Sequence, residues 1–183
     1  MTRNAVRDGA WSVNSIRSSL DAEATDFEAD LRPVLPVALR LAAGMRLDRN
    51  DAEDAVQEAA LRAWRKRDTR RPGTSLRPWF LAIVANQCRE TRRARWASVL
   101  RFADPPVRHD SVRPDAAGTA DLVNALRRLP ADVRLAIVLR FYLDLPFEEV
   151  AAVSGCSADA AKSRVRRGVT ALGALLRVSE NVT

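Results

Sequence analysis

Histidine, lysine and tyrosine are nearly missing from this chain of 183 residues. There is one histidine, His109, one tyrosine, Tyr142, and two lysines, Lys66 and Lys162. A single histidine excludes the His-rich metal sets and leaves little for histidine-based acid–base chemistry. Two cysteines far apart, Cys88 and Cys156, exclude a disulfide framework and read as small apolar residues in a reducing compartment. Glycine is scarce and β-branched runs are few, which argues against a β protein. No apolar run, the longest being of the order of Trp79–Ala85, suffices to span a bilayer. The polar stretch Met1–Leu20 lacks the apolar core of a secretory signal. Gly-rich phosphate loops, metal-spaced His/Cys sets and a Gly-x-Ser-x-Gly turn are likewise missing, so the sequence is expected to be neither an enzyme nor a cofactor or metal binder.

What remains is Ala, Leu, Arg and Glu, all good helix formers. The fold expected is all-α: two small helical domains joined by a flexible linker, the C-terminal one a helix-turn-helix. The net charge is +7, and almost all of the positive charge is arginine, whose planar fork suits phosphates and guanine edges. Its distribution is uneven. Asp21–Leu61 holds ten acids against four arginines, whereas Arg62–Arg95 holds ten arginines and one lysine against two acids. An acidic surface followed by a basic one suggests two different partners.

The chain divides into five parts. Residues 1–25 read as a flexible tail. Residues 26–96 read as a helical domain and 97–120 as a linker with Pro105, Pro106, Pro114 and Gly118. Residues 121–177 read as a second helical domain, and 178–183 as a short tail. In the first domain one helix covers Phe27–Met45, with Leu31, Leu35, Leu39 and Ala42 on one face and an interruption expected at Pro33 and Pro36. Asp51 is expected to cap the next helix, Ala52–Lys66. Thr69–Ser75 is a loop, and a helix starting at Pro78 follows to about Arg95.

In the second domain Leu122, Val123, Leu126 and Leu129 form one face, Pro130 starts a helix running to Tyr142, and a helix-turn-helix follows. Phe147, Val150, Ala151 and Val153 supply the buried face of its first helix. Gly155 takes the positive φ that ends that helix, and Ser157 caps the next. Ala161, Val165, Val169 and Leu172 are expected inward. Asp159, Lys162, Ser163, Arg166 and Arg167 are expected outward, where they can reach bases and phosphates in a major groove.

Three stretches resemble the bacterial sigma-70 family, specifically its small extracytoplasmic-function (ECF) sigma factors. They are Asp51–Glu58 with Leu61–Trp64; Arg71–Phe80 with Ile83, Asn86 and Glu90; and a C-terminal set of Leu129–Pro130, Arg134, Leu139–Arg140, Glu148–Ala151 and Lys162–Arg164. The resemblance implies a subunit that directs core RNA polymerase to promoter DNA. By it, Asp51, Asp54, Gln57, Glu58 and Leu61 dock on the clamp helices of the β′ subunit. Arg70, Arg71, Thr74, Ser75, Asn86, Arg89, Arg92 and Arg93 engage the minus-ten element and aid melting. Ser157, Asp159, Lys162, Ser163, Arg166 and Arg167 read the minus-thirty-five element. The implied partners are core RNA polymerase, through the β′ clamp helices and the β flap, promoter DNA, and an anti-sigma protein. Membrane insertion is not implied, and the expected location is the cytoplasm.

Against the family pattern, Ala160-Ala161 replaces Thr-Val, Pro146 replaces a polar cap, and Gly168 interrupts the recognition helix, where it is expected to cost about 1 kcal/mol relative to Ala. Trp64, Trp79 and Phe80 read either as base-stacking groups or as core. A rival reading is a stand-alone helix-turn-helix transcriptional regulator, which needs a dimerisation surface.

Overall fold

The computed structural model describes residues 25–45, 49–101 and 117–180, and every described element is helical. The expectations for the N-terminal tail, for His109 and for most of the linker lie outside these residues. In the first unit α1 (25–31) passes through a 3-10 turn, Arg32–Val34, into α2 (Leu35–Gly44), and α3 (Arg49–Lys66) and α4 (Leu76–Arg101) follow. The second unit holds α5 (Ala117–Arg128), α6 (Ala131–Ile137) with a π-helical extension, Val138–Tyr142, then α7 (Phe147–Ser154) and α8 (Ala158–Glu180). Thus α4 continues past Arg95 and α8 past Arg177.

The prolines act as expected, but their effect on the helix face differs. Pro33 lies in the 3-10 turn and Pro36 in the first turn of α2. A 3-10 turn advances about 120° per residue against about 100° in an α-helix, so three residues rotate the following face by roughly 60°. The buried set is consequently Leu31, Val34, Ala38, Leu41, Ala42 and Met45, while Leu39 turns outward. Asp51 falls in the first turn of α3, which starts at Arg49, and does not occupy the cap.

Small residues let α3 lie close to its neighbours α2 and α4: Ala52, Ala55, Val56, Ala59 and Ala63 are all buried. On α4 the inward stripe is Phe80, Leu81, Val84, Ala85 and Cys88, each fully buried. Phe80 is therefore core. Trp79 is partly buried against that core, and Trp64 lies 5.5 Å from the Phe27 ring with the Arg67 guanidinium 3.9 Å from its own. Burial pushes the Cys88 thiol up to about 12, so it stays protonated and unreactive at neutral pH.

The second unit is organised by a buried arginine. Arg134, 2% exposed, donates from Nε to the Leu126 carbonyl (2.7 Å) and from Nη2 to the carbonyls of Arg127 (2.9 Å) and Leu129 (2.8 Å). These belong to the end of α5, where helical carbonyls lack partners and the dipole favours a cation. Arg140 anchors the approach to α7, donating to Asp144 Oδ1 (3.1 Å) and the Leu145 carbonyl (3.3 Å). Asp144 adopts φ 51°, a left-handed conformation that Asp tolerates better than most residues. Arg164 of α8 pairs with Asp132 of α6 at 3.4 Å.

The two units also touch: α4 packs on α7, α2 meets the π-helical turn, and one buried cluster runs through both.

Candidate nucleic-acid interface and the acidic helix

The turn of the helix-turn-helix forms as its residues dictate. Gly155 adopts φ 62° and ends α7, its N–H bonding back toward Ala151 and Ala152. Ser157 Oγ accepts the Ala160 N–H at 3.2 Å and so caps α8. Val150, Ala151 and Val153 are buried and Phe147 half-buried, as their spacing requires.

On α8, Ala161 and Val165 face inward, but Val169 is 49% exposed. Its expected place on the inward stripe is taken by Gly168. A Cβ there would fall 2.6 Å from Ile137 Cγ1, 2.8 Å from its Cδ1 and 3.0 Å from Val133 Cγ1. Gly168 is thus a contact point between α6 and α8, where only a hydrogen fits. The outward face is as expected: Asp159, Lys162, Ser163, Arg166 and Arg167 are all exposed. Lys162 Nζ lies 3.5 Å from Asp159, whereas Arg166 and Arg167 carry no ion partner among the described residues.

The basic face of the first unit is less free. Pro72 and Gly73 (φ 79°) make the turn of the Arg70–Ser75 loop. Arg70 Nη1 donates to the Thr74 carbonyl at 2.6 Å and closes the loop on itself. Arg71 and Ser75 are exposed beside it, and Thr74 is half-buried. On α4, Arg89 Nη1 donates to Asn86 Oδ1 (2.8 Å), which orients the amide, and Arg93 stays exposed. Partial burial lowers the pKa of Arg92, which still leaves it charged. Asn86 lies outward, off the buried stripe of α4.

The acidic helix α3 presents Asp54, Gln57 and Leu61 to solvent, with Leu61 52% exposed, and Asp51 and Glu58 half-buried. Sequence patterning missed the role of Arg62. It donates from Nε to Glu58 (3.0 Å) and from Nη1 to Glu90 of α4 (2.7 Å), two carboxylates that raise its pKa. It therefore ties the acidic helix to the basic one. The spacing of four between Glu58 and Arg62 is visible in sequence, but the bond to Glu90 is not. Asp54 has no ion partner among the described residues.

Residues 30–98 match the family described as Sigma-70 region 2, and residues 119–172 match Sigma-70, region 4. The chain is 30% identical over 152 residues to the ECF RNA polymerase sigma factor EcfG of Rhodopseudomonas palustris, spanning 81% of this chain and 84% of that protein. It is 36% identical over 141 residues to the RNA polymerase sigma factor CarQ of Myxococcus xanthus, spanning 72% and 79%. Among solved structures it resembles the sigma factor RpoE in complex with the anti-sigma factor NepR from Bartonella quintana. There the TM-score is 0.67 at 31% identity, over 84% of this chain and 98% of that one. CnrH in complex with the cytosolic domain of CnrY gives a TM-score of 0.64 at 26% identity, over 83% and 88%. Nothing in these likenesses supports a stand-alone regulator. With both region matches in order along one chain, and relatives of this identity over most of their length, the chain belongs to the ECF group of sigma-70 family RNA polymerase sigma factors.

Proposed function

We propose how this promoter-directing subunit divides its work among named residues. The face of α3 bearing Asp51, Asp54, Gln57, Glu58 and Leu61 docks on the β′ clamp helices of core polymerase. The observation that carries this is Leu61: a large apolar side chain, 52% exposed, stands among acids on a helix whose opposite face is fully packed. An exposed leucine ringed by acids matches the make-up of interfaces, which combine an apolar centre with a charged rim.

The Arg70–Ser75 loop and the α4 residues Asn86, Arg89, Arg92 and Arg93 take the minus-ten element, where unstacking a base costs roughly a few kcal/mol that phosphate and base contacts offset. Ser157, Asp159, Lys162, Ser163, Arg166 and Arg167 read the minus-thirty-five element, Ser157 chiefly by fixing the helix start. The second unit docks on the β flap. Two solved relatives were captured with NepR and with CnrY, which supports an anti-sigma partner for this chain as well. Among the described residues no helix is long and apolar enough to cross a membrane, and the protein acts beside the polymerase, in the cytoplasm.

The deciding experiment is charge reversal on α3. Asp54→Arg with Gln57→Arg, both at exposed positions, should abolish pull-down of core polymerase while the helical content and melting temperature hold. Undiminished pull-down would refute the assignment.

A further inference from the structure

Leu61 belongs to a strip rather than standing alone. On α3, Gln57, Leu61 and Trp64 recur at intervals of four and three and so share one helix face, bordered by Asp54 and Glu58. Trp64 is half-buried, with the Phe27 ring of α1 5.5 Å away and the Arg67 guanidinium at 3.9 Å. Leu61, about 4.5 Å back along the helix axis, has no such cover and stays exposed.

The described chain begins beside this uncovered strip, because α1 opens at residue 25 and Phe27 already touches Trp64. The residues ahead of it, 1–24, precede the region 2 match, which starts at residue 30. They carry Trp11, Val13, Ile16 and Leu20, the last three at intervals of three and four, set among serines and an asparagine. Their charge opposes that of α3. Residues 1–20 hold Arg3, Arg7 and Arg17 against Asp8 alone, whereas the α3 face holds Asp51, Asp54 and Glu58. The lengths also agree. From Trp64 back to Asp51, α3 rises about 20 Å. Residues 11–24 span about 20 Å when helical and at most about 46 Å when extended.

We propose that the α3 face around Leu61 is a docking surface for this chain's own N-terminal segment, residues 11–20, and that this segment and core polymerase compete for it. The chain turns back over residues 21–24. Leu20 and Ile16 then cover Leu61, Asp21 and Glu23 come beside Arg65 and Lys66, and Arg17 and Arg7 meet the carboxylates nearer the start of α3. Covering Leu61 removes apolar surface from water in the free subunit. A segment tethered beside its site has an effective concentration of the order of millimolar, so a contact with a Kd of about 0.2 mM leaves roughly one chain in six open and weakens polymerase binding roughly sixfold. A contact of that strength gives way to a tighter partner, so it tunes assembly rather than blocking it.

The competition rests on the reading of α3 as the clamp-docking face; the intrachain contact does not, and the test separates the two. With Ser18→benzoylphenylalanine in the full free chain, illumination should cross-link the segment to residues 57–65 of the same molecule, and Leu61→Asp should suppress that product. Cross-links only elsewhere, only between two chains, or none at all would overturn the proposal. Titration of core polymerase with the full-length subunit then measures the competition. Ile16→Asp with Leu20→Asp should bind about sixfold more tightly than wild type, because the closed fraction is gone. Unchanged or weaker binding overturns the competition. Should that pair misfold by circular dichroism, Arg7→Glu with Arg17→Glu decides in the same direction. If the cross-link forms but Asp54→Arg with Gln57→Arg leaves polymerase binding intact, the clamp reading has failed and the intrachain contact stands.

Discussion

The two DNA-facing units present arginine in opposite ways. On α8, Arg166 and Arg167 stand free, and the scaffold that presents them is satisfied from within: Arg134 closes α5, Ser157 caps α8, and Gly168 brings α6 and α8 together. In the first unit much of the positive charge is already engaged. Arg70 holds its own loop, Arg62 bridges Glu58 and Glu90, and Arg89 orients Asn86. Counting arginines thus overstates the DNA-binding capacity of the first unit, and its net charge describes a cross-linked surface as much as a contact surface. On the assignment proposed above, the loop takes an unstacked base and gains from internal ties, whereas α8 is rigid by virtue of its helical backbone.

The sharpest way to break this comparison is to remove the hidden arginine. Arg134→Ala strands three carbonyls and leaves a cavity. It should destabilise the second unit by about 3 kcal/mol, read as a fall in its thermal or urea midpoint. A loss below about 1 kcal/mol would mean that those carbonyls find other partners.

Next in size, Arg166→Ala with Arg167→Ala should cost about 1–3 kcal/mol of promoter binding per residue and leave the melting temperature alone. Filter binding of the holoenzyme, paired with calorimetry, measures both. A shift in melting would place these residues in the scaffold instead.

Gly168→Ala distinguishes propensity from packing. Helix propensity alone makes Ala better by about 1 kcal/mol. The contacts to Ile137 and Val133 make it worse by roughly 1–3 kcal/mol, and adding Ile137→Val should recover part of that loss. Stabilisation by the single change would show that α6 and α8 have room between them.

The smallest effect compares neighbours in the loop. Arg70→Ala should weaken minus-ten DNA binding and also cost about 1 kcal/mol of local stability, because the Thr74 carbonyl loses its donor. Arg71→Ala should weaken binding alone. Proteolysis of the loop beside a binding titration tells them apart, and equal protease sensitivity in both variants would cancel the distinction.

Sequence by itself determined the all-helical class, the acidic-then-basic division of the first unit, the turn at Gly155, the cap at Ser157 and the outward face of α8. These are local matters, governed by propensity, φ and a spacing of three to four residues. Only the tertiary structure decided which face each irregular helix buries. The 3-10 turn at Arg32–Val34 turned Leu39 out, and the approach of α6 put Gly168, not Val169, on the inward stripe. It also decided which arginines are free, that Arg134 is buried, and that Gly44 receives Val138. Those outcomes depend on atoms distant in sequence, such as Arg62 with Glu90 or Arg40 with Tyr142, and helical periodicity carries no information about what lies across an interface.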